Sequence, residues 1–279
     1  MLERERHTII LKLVNDRSIV SVVELASLLN ASEATIRRDI NAMSEQGTVR
    51  RIRGGAEAVR PRHEAHLVGM PFALSKDQCV AEKRAIAQAA AQLIEGDEAI
   101  IIQGGTTTFA LVEFLADTEL DILTNSFPIA ARLLETSRNR ITLPGGTLFR
   151  EQNIVLSPFD NDATSNFQAR TMFAGCYGIG RFGITETDPL IVRAETRLLQ
   201  RAERLVVMAD SRKLRNRSSM VVAGLDRVSV LVTDAGARPD ELEVFRAAGI
   251  QVIVAEVPEQ GGESDAADSP PPKPARRRR

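Results

Sequence analysis

Apolar residues recur at helical spacing along three short segments at the start of the chain. Residues 3–15 and residues 22–29 each carry one apolar face, and Ile36, Ile40 and Met43 follow at positions i, i+4 and i+7. An α-helix brings positions with this spacing together on one side. The pattern therefore predicts three helices, and the short turn before the third makes the arrangement a helix-turn-helix.

The third of these helices has a polar face of a particular kind. Ser32 is a good N-cap, and Glu33 places a carboxylate in the first turn, where the helix dipole favours it. The face away from the core presents Thr35, Arg37 and Arg38. Small polar residues and arginines are typical of a helix that enters the major groove of DNA. A solvated amphipathic helix would also fit these residues alone, so the flanking sequence has to decide.

A basic, β-prone segment follows the third helix. Gly47 is suited to a left-handed cap at the helix end. Val49 and Ile52 then alternate with basic residues before a Gly-Gly turn, and the arginines are Arg50, Arg51 and Arg53. This order predicts the wing of a winged helix, a hairpin whose arginines reach phosphates or the minor groove. The simpler interpretation is a basic loop.

Residues 32–40 read S-E-A-T-I-R-R-D-I, and residues 51–56 end in R-G-G-A. Both match the pattern of the DeoR-type helix-turn-helix, which the first 57 residues closely resemble. One departure is Arg53, which stands where a histidine is frequent and keeps the charge positive. The resemblance implies a bacterial transcriptional regulator. We expect Asp39 to orient an arginine or cap local structure rather than touch DNA, because a carboxylate would repel phosphate. The expected DNA contacts are Ser32, Thr35, Arg37, Arg38, Arg50, Arg51 and Arg53.

Apolar runs of strand length alternate with helical segments beyond residue 82. The predicted strands are 99–102, 121–123, 140–143, 172–179, 205–209, 228–233 and 250–254. The predicted helices are 85–94, 107–115, 128–134, 192–203 and 239–248. This alternation predicts an α/β layer with a mostly parallel sheet. We divide the chain into a winged helix-turn-helix domain (1–57), a linker (58–81), an α/β domain (82–256) and a disordered tail (257–279).

Small polar residues follow several of the predicted strands. In parallel sheets ligands bind beyond the carboxyl ends of the strands, and glycine loops that open helices suit anions. The loops together predict a pocket for a phosphorylated polyol, although each alone is consistent with ordinary turn chemistry. The candidate residues are Gln103, Gly104, Gly105, Thr106, Thr107, Thr124, Asn125, Ser126, Gly145, Gly146 and Lys213.

The second half also resembles the DeoR family, from Glu82-Lys83-Arg84 onwards and through motifs such as Gly105-Thr106-Thr107 and Asp210-Ser211-x-Lys213. That family's sensor domain is similar in fold to ribose-5-phosphate isomerase. The stretch 157–195 most resembles the ascorbate-utilisation repressor branch. Three departures from the family pattern, at Gln103, Tyr177 and Arg197, leave the identity of the effector open. The resemblance adds Tyr177, Glu195 and Arg197 to the expected effector-binding residues.

Charge is distributed unevenly along a chain whose formal net charge is −1. Residues 1–62 carry 11 Lys and Arg against 8 Asp and Glu, a net charge of +3, whereas residues 63–260 carry 20 against 26, a net charge of −6. A basic amino-terminal region on an acidic body favours a nucleic-acid partner for the first domain. The terminal run Arg276–Arg279 either adds non-specific attraction to DNA or is a solvated tail.

Composition excludes several other classes of protein. No apolar run is long enough for a transmembrane helix, and the charged N-terminus has no apolar signal core, so we expect a cytoplasmic protein. Cys79 and Cys176 lie far apart without metal-ligand spacing, so neither a disulfide framework nor a metal site is predicted. His63 and His66 suit a solvated linker better than a metal site or a pH switch. We expect no cofactor.

Three functions compete on these observations. The first is an oligomeric regulator, a dimer or tetramer, that represses a sugar-catabolic operon and responds to a phosphorylated sugar. The second is a sugar-phosphate isomerase with an appended DNA-binding domain, in which Glu195 would replace the histidine base that the α/β half lacks. The third is a winged-helix interaction module without a ligand. We favour the regulator, because the third function leaves the polar strand ends unexplained.

Overall fold

A computed structural model describes residues 3–17, 19–29, 31–59, 71–96 and 98–257. The linker histidines His63 and His66, and the tail from residue 258 with its arginine run, lie outside the described residues. None of the helices in the described ranges combines the length and the hydropathy needed to cross a membrane.

Three helices and a small antiparallel sheet form the amino-terminal unit. Its elements are α1 (Glu3–Arg17), β1 (Ile19–Ser21), α2 (Val22–Leu29), α3 (Glu33–Glu45), β2 (Val49–Ile52) and β3 (Gly55–Ala58). The strand order is β1-β3-β2, so β2 and β3 form the wing and β1 extends it. Ile36, Ile40 and Met43 are buried in the core between the helices and the sheet, on the predicted face. The predicted winged helix-turn-helix fold is confirmed.

The turn between the two wing strands depends on two glycines. Gly54 has a φ of +85°, a left-handed conformation that favours glycine. Gly55 lies directly against β1, where a Cβ atom would come within 2.3 Å of the carbonyl oxygen of Val20. The Gly-Gly pair therefore fixes both the turn and the close pairing of β3 with β1.

The second unit contains six helices and twelve strands within the described ranges. The helices are α4 (Phe72–Ser75), α5 (Val80–Ala91), α6 (Thr106–Leu111), α7 (Phe127–Thr136), α8 (Pro189–Leu199) and α9 (Pro239–Ala247). The strands are β4 (Ala99–Ile102), β5 (Asp121–Thr124), β6 (Arg140–Thr142), β7 (Thr147–Phe149), β8 (Ile154–Leu156), β9 (Ala169–Ala174), β10 (Gly178–Gly180), β11 (Gly183–Glu186), β12 (Ala202–Met208), β13 (Met220–Ala223), β14 (Val230–Asp234) and β15 (Gln251–Ala255).

Seven of these strands form one parallel sheet in the order β15-β14-β12-β9-β4-β5-β6. Alternate residues of each central strand face opposite sides. Ile100 and Ile102 join the apolar cluster that α5 and α6 cover, whereas Ile101 joins the cluster with Leu198 of α8 and Phe245 of α9. Both faces of the sheet are therefore buried, as a continuous apolar run predicts. The α/β fold class is confirmed.

Two expectations about the elements need correction. The predicted strand 172–179 is two strands in different sheets, because the chain leaves the main sheet after Ala174 and re-forms a strand at Gly178. The antiparallel sheet β10-β11-β13 and the hairpin of β7 and β8 were not predicted, since strands of three or four residues carry little periodicity.

The segment predicted as a linker contains helical structure near its end. Helix α4 and the first residues of α5 fall within 58–81. Phe72 of α4 is buried, and its ring meets the Phe109 ring edge-on at 5.6 Å. The Phe72 amide donates to the carbonyl of Glu151 at 2.7 Å. A four-residue helix has no periodicity, so only these tertiary contacts define it.

The close approach at Gly55 generates a prediction about stability. A Gly55→Ala substitution places a methyl group against the β1 backbone, and such overpacking costs about 1–3 kcal/mol. We expect a lower midpoint of denaturant unfolding and weaker DNA binding. Gly96→Ala is the control, because no atom outside the neighbouring residues lies within 4 Å of its Cβ position. Equal midpoints for the two variants would contradict the β1–β3 packing.

Candidate DNA interface and effector cavity

The exposed face of α3 carries the residues expected to contact DNA. The Ser32 side chain caps the helix, since its Oγ accepts a hydrogen bond from the Thr35 amide at 3.2 Å and lies 2.9 Å from Thr35 Oγ1. Arg37 and Arg38 are exposed. Arg37 pairs with Glu33 one turn earlier, with 2.6 Å between Nη2 and Oε2. Arg38 has no ion-pair partner in the part of the chain that the structure describes.

A groove of about 430 Å³ lies between α3 and the wing. Arg37 and Asn41 line it from the helix, and Arg51 and Arg53 line it from the wing. Arg50 faces elsewhere on the hairpin, where its Nε donates to Glu57 Oε2 at 2.8 Å. Of the seven residues expected to contact DNA, Arg37 and Arg38 are thus exposed on α3, and Arg51 and Arg53 lie beside this groove.

Asp39 lies on the opposite side of α3 and is buried. Its Oδ2 accepts from Arg6 Nε at 2.8 Å, and its Oδ1 lies 3.1 Å from both Arg6 Nη2 and His7 Nε2. Burial alone would raise the pKa of Asp39, but the bonds to Arg6 and His7 outweigh it and hold the pKa below its usual value. The expectation that Asp39 orients an arginine is met by this contact, which also ties α1 to α3.

A cavity of about 420 Å³ lies beyond the carboxyl ends of the central strands β4, β9 and β12. Asn125 follows β5 at the same edge, and its Oδ1 accepts from the Gly104 amide at 2.8 Å. This bond holds the glycine loop against the neighbouring strand. The expected effector-binding residues that line the cavity are Gln103, Gly104, Gly105, Thr106, Thr107, Asn125, Tyr177, Glu195 and Lys213.

Five expected residues do not line this cavity. Thr124 Oγ1 accepts from the Ser126 amide at 3.1 Å, and Ser126 caps α7. Arg197 is paired with Asp162 at 3.1 Å, away from the cavity. Gly145 and Gly146 lead into the hairpin of β7 and β8, and a Cβ atom on Gly146 would lie 2.3 Å from the Leu156 carbonyl oxygen. Turn and packing requirements account for these positions.

Several residues that the sequence analysis did not select as effector-binding also line the cavity. They include Lys83, Glu186, Asp210 and Arg212. Lys83 and Asp210 occur in the motifs that carry the family resemblance, so those motifs held the signal for these two residues. Glu186 follows no predicted strand, because β11 was not predicted.

Positively charged groups gather on one side of the cavity. Lys83 is buried and its Nζ donates to the carbonyl of Ser75. Burial lowers the pKa of Lys83, and Asp210 partly offsets this. Arg212 pairs with Asp210 at 2.9 Å, and Lys213 Nζ lies 5.8 Å from the Tyr177 ring centre. An anion bound here would meet three cations, of which Arg212 is paired with Asp210 and Lys213 also interacts with Glu186.

Carboxyl groups gather on the other side. Glu195 is buried and accepts from Gln103 Nε2, and Glu186 accepts from the Tyr177 amide at 2.6 Å. Burial raises the pKa of Glu186 to about 6. Burial, reinforced by the nearby charge of Glu186, raises the pKa of Glu195 well above its ordinary value. The cavity therefore offers cations at one end and hydrogen-bonding carboxyl groups at the other.

Comparison with known domain families agrees with both halves of this geometry. Residues 6–62 match the DeoR-like helix-turn-helix domain, and residues 78–235 match the DeoR C-terminal sensor domain. The chain belongs to the DeoR family. The two matches cover the α3–wing unit and the cavity respectively, so this DeoR-family protein is a DNA-binding transcriptional regulator with a sensor domain.

Two curated relatives of this DeoR-family protein share one name with each other. The HTH-type transcriptional regulators UlaR of Shigella dysenteriae serotype 1 and of Escherichia coli K12 are each 33% identical over 256 residues, which is 91% of this chain and 99% of each relative. UlaR is the ascorbate-utilisation repressor, so the resemblance to that branch is confirmed. These relatives, which match along 99% of their length, are named as transcriptional regulators, and the isomerase alternative is left without support.

Solved structures show more distant similarity. The full-length sorbitol operon regulator SorC from Klebsiella pneumoniae is 13% identical, with 88% of this chain and 99% of that chain covered and a TM-score of 0.37. Ribose 5-phosphate isomerase A from Methanocaldococcus jannaschii is 13% identical, with 47% of this chain and 52% of that chain covered and a TM-score of 0.35.

The raised pKa of Glu195 predicts how stability changes with pH. A carboxyl group with a raised pKa in the folded state contributes stability below its unfolded pKa and loses it as the pH rises towards the folded value. We expect Glu195→Gln, which keeps the shape without the charge, to gain in thermal midpoint over the wild type progressively as the pH rises above the ordinary pKa of a glutamate. Glu203→Gln, at an exposed position, is the matched control. A midpoint difference that does not vary with pH would refute the prediction.

Proposed function

We propose that this regulator is a repressor of a sugar-catabolic operon whose operator affinity changes when a phosphorylated sugar enters the sensor cavity. The observation that carries the proposal is the pairing, in one chain, of an arginine-lined groove beside α3 with a cavity whose cations suit a phosphate. The cytoplasm, where the chromosome lies, is the compartment for this function.

For DNA we assign different roles to helix and wing. Ser32, Thr35, Arg37 and Arg38 face the major groove or its phosphates, and arginines pair well with guanine edges. Arg50, Arg51 and Arg53 contact the backbone or the minor groove. A symmetric oligomer, a dimer or tetramer, would place two such helices on the two half-sites of an operator.

For the effector we assign the phosphate to the cationic end of the cavity. Lys213 and Lys83 supply charge there, and Thr106 and Thr107 supply hydroxyl donors beside the glycine loop. Asn125 and the carboxyl end of the cavity then remain for the sugar. No histidine lies in the described part of the sensor domain, in keeping with binding without turnover.

Helix α4 is the element through which effector binding would act on the DNA-binding domain. Helix α4 is the first described element after the wing, and it touches the cavity directly. Its Ser75 carbonyl accepts from Lys83, and Ser75 Oγ lies 3.3 Å from Thr106 Oγ1. A phosphate that binds Lys83 and Thr106 competes with both contacts. Ligand binding therefore favours one position of α4 over another, which is the differential affinity that allostery requires.

The recognition role of Arg38 can be measured by gel-shift titration on the operator. Arg38→Ala should weaken binding by about 1–3 kcal/mol, roughly 5- to 150-fold, because a base or phosphate contact is lost. Arg138→Ala, an exposed arginine of the sensor domain, is the control and should leave the affinity within twofold. Unchanged affinity in both variants would remove α3 from the interface.

The effector role of Lys213 can be tested with the same operator. A panel of sugar phosphates should change the wild-type midpoint, and the active compound should also raise the thermal midpoint by mass action. Lys213→Ala should abolish both responses. Arg217→Ala, an exposed change close in sequence, should keep them. If no sugar phosphate affects operator binding or thermal stability, the sensor proposal is wrong.

A further inference from the structure

One buried polar atom at the cavity has no partner. Gln103 is only 4% exposed and lines the cavity after β4. Its Nε2 donates to Glu195, whereas its Oε1 makes no hydrogen bond to any described residue. A buried amide oxygen without a partner costs free energy, and such atoms are rare unless something binds them. This oxygen therefore points to a ligand with a hydrogen-bond donor.

The groups around that atom restrict the donor. Glu195 accepts from the same amide, and Glu186 lies near enough to interact electrostatically with Glu195. The charge of Lys213 interacts electrostatically with Glu186. The backbone amide of Tyr177 donates a hydrogen bond to Glu186 Oε1. This end of the cavity thus presents two carboxyl groups and an amide oxygen.

We propose that Gln103, Glu186 and Glu195 form a subsite for neighbouring hydroxyl groups of the effector, and that this subsite selects a sugar or sugar-alcohol phosphate over a phosphate whose far end is a carboxylate. The proposal rests on the proposed function, because the phosphate is assigned to the cations at the other end.

The chemistry of hydroxyl groups suits this subsite. A hydroxyl both donates and accepts, so it can donate to Gln103 Oε1 and exchange a hydrogen bond with a carboxyl group. A carboxylate only accepts, so it leaves the amide oxygen unpaired. It also adds a third acidic group beside two, and like charges in a buried site repel strongly. Both effects disfavour sugar acids.

The same residues distinguish this subsite from the phosphate end. Lys83 and Arg212 do not contact Gln103 or Glu195 in any described hydrogen bond, and their neighbours are Ser75 and Asp210. Substitution of Glu186 or Glu195 therefore changes the preference between ligands that differ at the end remote from the phosphate. Lys213 acts on the charge of Glu186, so its substitution is expected to weaken every phosphorylated compound and does not measure the preference between far ends.

The test uses pairs of compounds that differ only at the end remote from phosphate. Ribitol 5-phosphate is compared with ribonate 5-phosphate, and glucitol 6-phosphate with gluconate 6-phosphate, by calorimetric titration of the full chain at pH 7.5. Within at least one pair we expect the alcohol to bind at least tenfold more tightly than the acid. Glu186→Gln should reduce that ratio at least fivefold, because it removes the charge and keeps the shape.

A second variant makes the result independent of Glu186. Gln103→Met keeps the volume but removes the amide oxygen, and should weaken the alcohol at least fivefold relative to the acid. Glu203→Gln is the matched control and should leave the ratio unchanged. Because each variant is judged by a ratio of two affinities, a partly unfolded preparation does not imitate the effect.

The outcomes separate this inference from the function beneath it. The subsite proposal is wrong if the acids bind as well as the alcohols to the wild type, or if the preference survives both Glu186→Gln and Gln103→Met. In either case a response to phosphorylated compounds that depends on Lys213 still supports the sensor proposal. If none of the four compounds binds, the inference falls, and the wider sugar-phosphate panel on operator DNA decides the sensor proposal separately.

Discussion

Parallel pairing of the central strands is the constraint on which the sensor half depends. β4 pairs with β5 on one side and with β9 on the other, and all three run in the same direction. Their carboxyl ends consequently meet at one edge, although the residues that follow them, at positions 103, 125 and 175, lie 22 to 72 positions apart in sequence. Parallel strands also need helices on both faces, which leaves that edge as the open place for a ligand.

The amino-terminal unit depends on a smaller contact with a comparable effect. Asp39 belongs to the sequence motif of the recognition helix, yet it is turned inwards to Arg6 and His7 of α1. That contact fixes the rotation of α3, and so leaves Arg37 and Arg38 exposed. A buried residue of α3 thus determines which residues of the helix are exposed.

Hydrophobic periodicity was sufficient to predict the elements that bury large apolar faces. α3 and its cap at Ser32, the strands from β4 to β6, and the wing all follow from local pattern and turn chemistry. The cavity was predicted only in part. Thr124, Ser126 and Gly146 have the residue types of a binding loop, but helix capping and hairpin packing require the same types, so sequence cannot separate the two uses.

The missed residues share a different physical reason. Glu186 reaches the cavity on β11, a strand of four residues whose place depends on pairing with β10 and β13. Lys83 reaches it from the side of α5, and its burial depends on α4. Hydrophobic periodicity identifies neither position, because each is placed at the cavity by contacts between segments that are distant in the chain. The strand ends therefore supply only part of the cavity lining, and tertiary packing supplies the rest.

The ion pairs on the DNA-binding face have a consequence for how salt acts on the complex. Arg37 and Arg50 are already partly neutralised by Glu33 and Glu57. While each of these arginines keeps its glutamate partner, the pair brings no net charge to a phosphate and releases few counterions from the DNA. The dependence of affinity on ionic strength, about 0.9 logarithmic units per neutralised phosphate, is then set mainly by Arg38, Arg51 and Arg53. The two paired glutamates moderate non-specific attachment to DNA and leave sequence readout to the geometry of α3.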